Sequence, residues 1–181
     1  MEREAAIEIA GLVAAVLRDA GVRRAEISGS LRRGISIVGD ADLVAIADEG
    51  FEGVPLFSAA PQLRGRSVRQ DIRSSYQGGG DILRVWVDDF KTDVRFTTAE
   101  VFGATQLWLT GNRDFGRSLE AIAIKRGWRF TPDGVFMCDG EVAIGSSDER
   151  GVLEALAGCW IAPEHRTCAL DLIDRDYKVG N

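Results

Sequence analysis

Three aspartates lie on segments predicted to be strands, and together they could hold divalent metal ions. Asp40 and Asp42 stand two residues apart in an alternating stretch, 40–47, so both carboxylates project from the same face of the strand. Asp93 lies in a second alternating stretch and points away from its apolar neighbours. If the two strands are adjacent, three carboxylates converge and offer the oxygen ligands that Mg²⁺ prefers. Two such ions, about 3.5–4 Å apart, would stabilise the attacking and leaving oxygens of an in-line displacement.

A glycine-serine pair precedes these aspartates and strengthens the case for a site. An isolated pair of strand aspartates is most often simply exposed to solvent. Gly29 and Ser30, however, follow a predicted strand, 25–28, and begin a predicted helical turn. Glycine lets a ligand approach the backbone, and the N–H groups of such a turn, with the Ser30 hydroxyl, can bind phosphate oxygens. Arg33 is placed to add a charged, forked donor.

The spacing of apolar residues predicts the elements that must position this site. A helix is expected from Ala5 to Ala20, ended by Gly21. The pattern of predicted elements changes near Thr98 to Glu100, and this change predicts two domains, 1–99 and 100–181. Ser146 and Glu149 fit a capping box for a helix that runs to about Gly158. Strands are predicted at 40–47, 67–76, 82–87, 91–96, 128–130, 134–137 and 141–144, and a further helix at 115–126.

Composition limits the class of protein. Hydrophobic residues make up 45% of the 181 residues and charged residues 28%, as in globular proteins with a buried core. The sequence lacks a signal peptide and a membrane-length apolar run, so we expect a cytoplasmic protein without membrane contact. The three cysteines are expected to be reduced, and His165 to lie at the surface. The net charge of −6 argues against nucleic-acid binding, but clusters of arginine can still bind a phosphate backbone.

Longer motifs around these residues resemble those of one enzyme family. The segment GSLRRGISIVGDADLVAI, Gly29 to Ile46, resembles the palm motif of family X, polymerase-beta-like DNA polymerases, and TDVRF, Thr92 to Phe96, resembles the strand that carries their third metal-site aspartate. The segment LWLTGNRDFGRSLEAIAIKRGWRF and the ending WIAPEHR resemble their C-terminal subdomain. The resemblance implies an α+β fold, in which a nucleotidyltransferase palm with a mixed sheet flanked by helices precedes a small α/β C-terminal subdomain.

The resemblance also implies roles for individual residues and ligands. Asp40, Asp42 and Asp93 would be the catalytic, metal-binding residues for two Mg²⁺ ions, which Mn²⁺ can replace. Arg95 would pair with one of these aspartates when no metal is bound. Gly111 and Asn112 would form a tight turn or a cis peptide. The residues expected to bind nucleotide are Gly29, Ser30, Arg33, Gly39, Trp108, Gly111 and Asn112. The residues expected to contact DNA are Arg95, Arg113 and Arg117.

The implied activity is addition of dNTPs to the 3′-hydroxyl of a DNA primer on a template, with a role in DNA repair. Trp108 keeps the bulk of the family's tyrosine, whereas Gly116 and Glu120 replace residues that contact the base and the template. The sequence starts at the palm, so we expect no lyase activity, and a partner protein is one source of the missing DNA-binding region. A monomer is expected. Two alternatives stay open: a template-independent terminal transferase, or a nucleotidyltransferase that acts on a small-molecule, RNA or protein acceptor.

Overall fold

The computed structural model describes residues 1–47, 55–74, 81–137 and 139–170, which form an α+β fold. The helices are α1 (Arg3–Asp19), α2 (Gly29–Arg32), α3 (Phe102–Thr110), α4 (Arg113–Lys125) and α5 (Glu149–Ala157). The strands are β1 (Val22–Ser28), β2 (Asp40–Ala47), β3 (Val68–Ser74), β4 (Asp81–Val87), β5 (Phe90–Thr97), β6 (Trp128–Thr131), β7 (Gly134–Met137) and β8 (Val142–Ile144). Within the described residues, no helix is long and apolar enough to cross a membrane.

The strands form two sheets. The larger sheet has the order β1-β2-β5-β4-β3. It is mixed, because β2 and β5 run parallel whereas the other neighbouring strands are antiparallel. The smaller sheet is antiparallel, with the order β6-β7-β8. This arrangement confirms an α+β chain with a mixed sheet and helices, which is compatible with the predicted polymerase-beta-like fold.

The first core lies between α1 and one face of the larger sheet. Apolar residues of α1 recur at helical spacing and are buried, among them Ile9, Val13 and Leu17. They belong to the same cluster as Leu43 of β2 and Val94 of β5. Each fully buried large apolar side chain stabilises the fold by about 1.5–3 kcal/mol. One face of the sheet is therefore covered, and the charged residues that alternate with these apolar ones on β2 and β5 lie on the opposite face.

The second core joins α3, α4 and α5 with the smaller sheet, and includes Leu107, Phe115 and Leu153. A small third cluster, with Val44 of β2 and Phe102 of α3, connects this part to the larger sheet. Gly103 permits the close approach of α3 to α5, because a Cβ atom there would overlap the backbone between Asp148 and Glu149.

Most predicted elements are confirmed, with two differences. Helix α3 was not predicted, because nearly all of its residues are buried, and such a helix has no contrast between an apolar and a polar face. The predicted capping box is wrong: Asp148 is the N-cap of α5, and its carboxylate accepts a hydrogen bond from the Gly151 N–H. The Ser146 hydroxyl oxygen instead accepts a hydrogen bond from the Val135 N–H. The end of the strand predicted at 67–76 lies outside the described residues beyond Ser74.

Candidate active site

The parallel pairing of β2 and β5 brings the three predicted aspartates together. In this register Asp42 lies opposite Asp93, and Asp40 lies opposite Lys91. Residues paired across neighbouring strands share a face of the sheet. The three carboxylates therefore occupy the face opposite to α1, as the alternation of the sequence predicted for Asp40 and Asp42.

The electrostatic coupling of these carboxylates is visible at Asp42. Burial raises the pKa of Asp42 from 3.8 to about 6, and the negative charges of Asp40 and Asp93 contribute to the rise. Lys91 and Arg33 act in the opposite direction. A carboxylate whose pKa is raised by neighbouring carboxylates lies in a region of negative potential, which a cation would stabilise.

Two basic side chains that sequence reasoning missed lie against the aspartates. The Lys91 Nζ lies 2.9 Å from Asp40 Oδ2 and 3.1 Å from Asp93 Oδ2. The Arg84 Nε donates to Asp93 Oδ1 over 3.2 Å from the adjacent strand β4. The position of Lys91, two residues before Asp93 on one strand, was a signal for a shared face. The contact of Arg84 with Asp93 depends on the register of β4 and β5, which no local sequence pattern indicated.

The glycine-serine turn packs directly on the carboxylates. Gly29 has a φ of +60°, a conformation that residues with a Cβ atom rarely adopt. A Cβ atom at this position would overlap the carboxylate of Asp42. Ser30 follows in the four-residue helix α2. Arg33 ends that turn, and its Nη1 donates to the Thr110 carbonyl over 2.8 Å. Burial lowers the pKa of Arg33, and the negative charge of Asp42 counteracts this. The Arg33 guanidinium therefore lies within the electrostatic influence of Asp42.

The donor set fits a hard divalent cation by its chemistry. As the side chains stand, no group of three or more His, Cys, Asp or Glu in the described ranges could hold a metal ion. The ammonium of Lys91 instead contacts Asp40 and Asp93. A cation is thus already favoured between these two carboxylates, and oxygen ligands are those that Mg²⁺ selects. Asp40, Asp42 and Asp93 could hold a metal once the Lys91 ammonium moves aside.

The other residues predicted to bind nucleotide lie in two places, Gly39 just before β2 and the rest at the junction of α3 and α4. Gly39 is exposed and directly precedes Asp40. Trp108 is partly buried, with its ring edge-on to Phe130 at a centroid distance of 5.3 Å. Asn112 is the N-cap of α4, where its side-chain oxygen accepts the Phe115 N–H over 2.7 Å. No cis peptide occurs in the described parts of the chain, so Gly111 and Asn112 connect α3 to α4 through a trans peptide, with extended backbone at both residues.

The arginines predicted to contact DNA differ in exposure. Arg113 and Arg117 are exposed on α4. Arg95 is buried, with 9% of its surface exposed, and its Nη2 lacks a hydrogen-bond partner. Burial lowers the pKa of Arg95, and Asp133 of the β6–β7 turn counteracts this. Arg95 therefore lies near Asp133 and not on an open surface. The predicted pairing of Arg95 with a metal-site aspartate is wrong, because Lys91 and Arg84 contact Asp40 and Asp93 instead.

A buried ion cluster links the glycine-serine turn to α5, and sequence reasoning missed it. The Arg32 Nη1 and Nη2 atoms donate to the two carboxylate oxygens of Glu149, each over 2.6 Å. Arg166, which is fully buried, donates to the same carboxylate over 2.6 Å. Arg32 also donates to the Thr110 hydroxyl. Helix α2, which begins at Gly29, is thereby fixed to the C-terminal part of the chain.

Comparison with known proteins identifies that C-terminal part. No curated protein matches the chain. Residues 105–167 match the family model described as DNA polymerase beta thumb. The matched range runs from within α3 to just beyond Arg166, and so includes α4, the smaller sheet and α5. The C-terminal part of the chain is therefore similar to a DNA polymerase beta thumb, and this match supports the resemblance to family X, polymerase-beta-like DNA polymerases.

Proposed function

We propose that this protein is a DNA polymerase that adds dNTPs to the 3′-hydroxyl of a primer on a template, in DNA repair. The observation that carries the proposal is the pairing of Asp42 with Asp93 across parallel strands, beside the Gly29 turn. The polymerase beta thumb at residues 105–167 supports DNA as the substrate. The proposed ligands are therefore a dNTP and a primer–template.

In the proposed mechanism the groups of the site hold metal, bind phosphate or accept a proton, and Asp93 has two of these tasks. Asp40 and Asp42 would hold two magnesium ions, and Asp93 would help to hold one of them. When bound, magnesium (or manganese) neutralises phosphate charge in the transition state. The turn N–H groups, the Ser30 hydroxyl and Arg33 bind the β- and γ-phosphates.

The chemistry is an in-line displacement at the α-phosphorus. Asp93 accepts the proton of the primer 3′-hydroxyl, whose oxygen forms the new bond to phosphorus. The bond from the α-phosphorus to the bridging oxygen breaks, and pyrophosphate leaves. Positioning and charge neutralisation supply most of the rate enhancement in such reactions, which suits a site built from a rigid sheet and a tight turn.

A primer-extension assay tests the proposal. A 5′-labelled primer is incubated with dNTPs and Mg²⁺ or Mn²⁺, with and without an annealed template. The proposal predicts extension that follows the template sequence. Extension of the bare primer alone would make the protein a terminal transferase. No extension of any DNA, together with nucleotide transfer to a small molecule, an RNA or a protein, would replace the proposal by the other alternative.

A further inference from the structure

The face of the sheet that carries the aspartates continues beyond them onto β4 and β3. Successive registers place Asp40 opposite Lys91, Lys91 opposite Trp86, and Trp86 opposite Arg69. These four side chains therefore form one row across four strands on the face opposite to α1. The Arg69 side chain is 65% exposed, so the far end of this row is open to solvent.

Arg69 and Trp86 form a stacked pair at that end of the row. The Arg69 guanidinium carbon lies 4.8 Å from the centroid of the Trp86 ring. The Arg69 Nη2 lies 3.9 Å from Oδ1 of Asp89, whose side chain is 91% exposed. Such a solvent-screened ion pair holds the guanidinium only weakly. Trp86 is partly exposed and belongs to none of the three core clusters found among the described residues. The pair thus combines an aromatic surface with an available cation.

The distance from the aspartates sets what this pair can reach. Trp86 lies two strands from Asp40, and neighbouring strands are about 4.8 Å apart, which gives roughly 10 Å. A stacked nucleic-acid strand rises about 3.4 Å per nucleotide. A strand whose 3′-end lies at the aspartates would therefore pass the Trp86 ring about three nucleotides upstream.

We propose that Arg69 and Trp86 bind the acceptor strand about three nucleotides upstream of its 3′-end, with the Trp86 ring stacked on a base or sugar and Arg69 on a phosphate. The inference rests on the proposed function, because it takes the acceptor to be a polynucleotide. Aromatic rings with adjacent cations bind single strands without regard to sequence. Phosphate is also the ligand that the forked guanidinium of Arg69 binds best.

Direct binding tests the aromatic half of the proposal without requiring catalysis. A fluorescein-labelled 12-nucleotide oligo(dT) and a two-nucleotide competitor are used with the full chain, with Mg²⁺ and without nucleoside triphosphate. Stacking on one base predicts that Trp86→Ala raises the Kd of the 12-mer by roughly 5- to 150-fold. Trp86→Phe should restore most of the affinity, and the two-nucleotide competitor should bind both proteins equally because it is too short to reach Trp86.

The salt dependence tests the phosphate contact. Loss of one single-strand phosphate contact predicts that Arg69→Ala reduces the slope of log Kd against log salt by about 0.7. Arg18→Ala is the control, because Arg18 is exposed in the last turn of α1, the helix that covers the face of the sheet opposite to the aspartates. The slope should not change in this control. Circular dichroism checks the fold of each variant. If Trp86→Ala does not fold, the salt dependence of Arg69→Ala alone tests the proposal.

Two results overturn the inference, and they are distinguishable. If the wild type extends primers but folded Trp86→Ala and Arg69→Ala bind the 12-mer as the wild type does, the upstream contact is wrong and the proposed function stands. If the wild type neither binds nor extends DNA, both fail together.

Discussion

Removing the Glu149 carboxylate is predicted to destabilise the protein strongly. Glu149 receives three hydrogen bonds of 2.6 Å from Arg32 and Arg166. Arg166 is fully buried, and the Arg32 side chain is 25% exposed. Glu149→Ala leaves both guanidinium groups without their carboxylate, and loss of one partner of a buried ion pair costs about 3–5 kcal/mol. For a chain of this size that corresponds to a fall in Tm of roughly 6–20 °C.

The pH dependence gives a second readout of the same cluster. Burial alone would raise the pKa of Glu149, but the hydrogen bonds and charges of Arg32 and Arg166 outweigh it and lower the pKa below 4.5. A lowered pKa means that the cluster stabilises the fold fully above pH 4.5 and loses its contribution as the pH falls through the folded value. Glu149→Gln lacks this titration, so its deficit against the wild type should shrink below pH 4.5.

Thermal and urea unfolding, followed by circular dichroism, measure both effects. Arg150→Ala is the control, because Arg150 and Glu154 form an exposed pair on the same helix, and exposed pairs contribute at most about 1 kcal/mol. A loss below about 1 kcal/mol for Glu149→Ala at pH 7 would contradict this prediction, because it would mean that Arg32 and Arg166 do not depend on the carboxylate for their stability.

The other predictions concern the carboxylates and the sugar. Asp42→Asn should stabilise the metal-free protein by up to roughly 3 kcal/mol above pH 6. The raised carboxyl pKa penalises the folded state from about pH 3.8 upward and does so fully above about pH 6, so unfolding in EDTA at pH 3 should show no gain. Gly29→Ala should lower the Tm and abolish extension, because the added methyl overlaps Asp42; a normal Tm and rate would contradict this. The bulk of Trp108 should disfavour ribonucleotides, and equal kcat/KM for a ribonucleotide and its deoxy counterpart would refute that.

The parts of the site that could be predicted from sequence are local. Asp40 and Asp42 share a face because they alternate on one strand, and Gly29 precedes them within the same segment. Both features follow from strand geometry and glycine conformation, which act over a few residues.

The parts that local patterns could not specify depend on contacts between distant segments. Asp93 was expected beside Asp42 only from the resemblance of Thr92 to Phe96 to a family motif, because their approach needs the parallel pairing of β2 and β5, which local periodicity does not specify. Glu149 matched a capping pattern, yet its carboxylate binds Arg32 and Arg166, and the competing N-cap was the adjacent Asp148. Lys91 was overlooked because only the folded sheet brings it against Asp40.

Single-nucleotide incorporation by the Asp93→Asn variant tests the central claim most directly. The assay uses a recessed primer–template with Mg²⁺, and Asp89→Asn serves as the control because Asp89 is 91% exposed in the turn before β5. We expect the wild type and Asp89→Asn to incorporate the templated nucleotide, whereas Asp93→Asn folds normally and incorporates none. Incorporation at the wild-type rate by folded Asp93→Asn would contradict the assignment of Asp40, Asp42 and Asp93 as the catalytic centre.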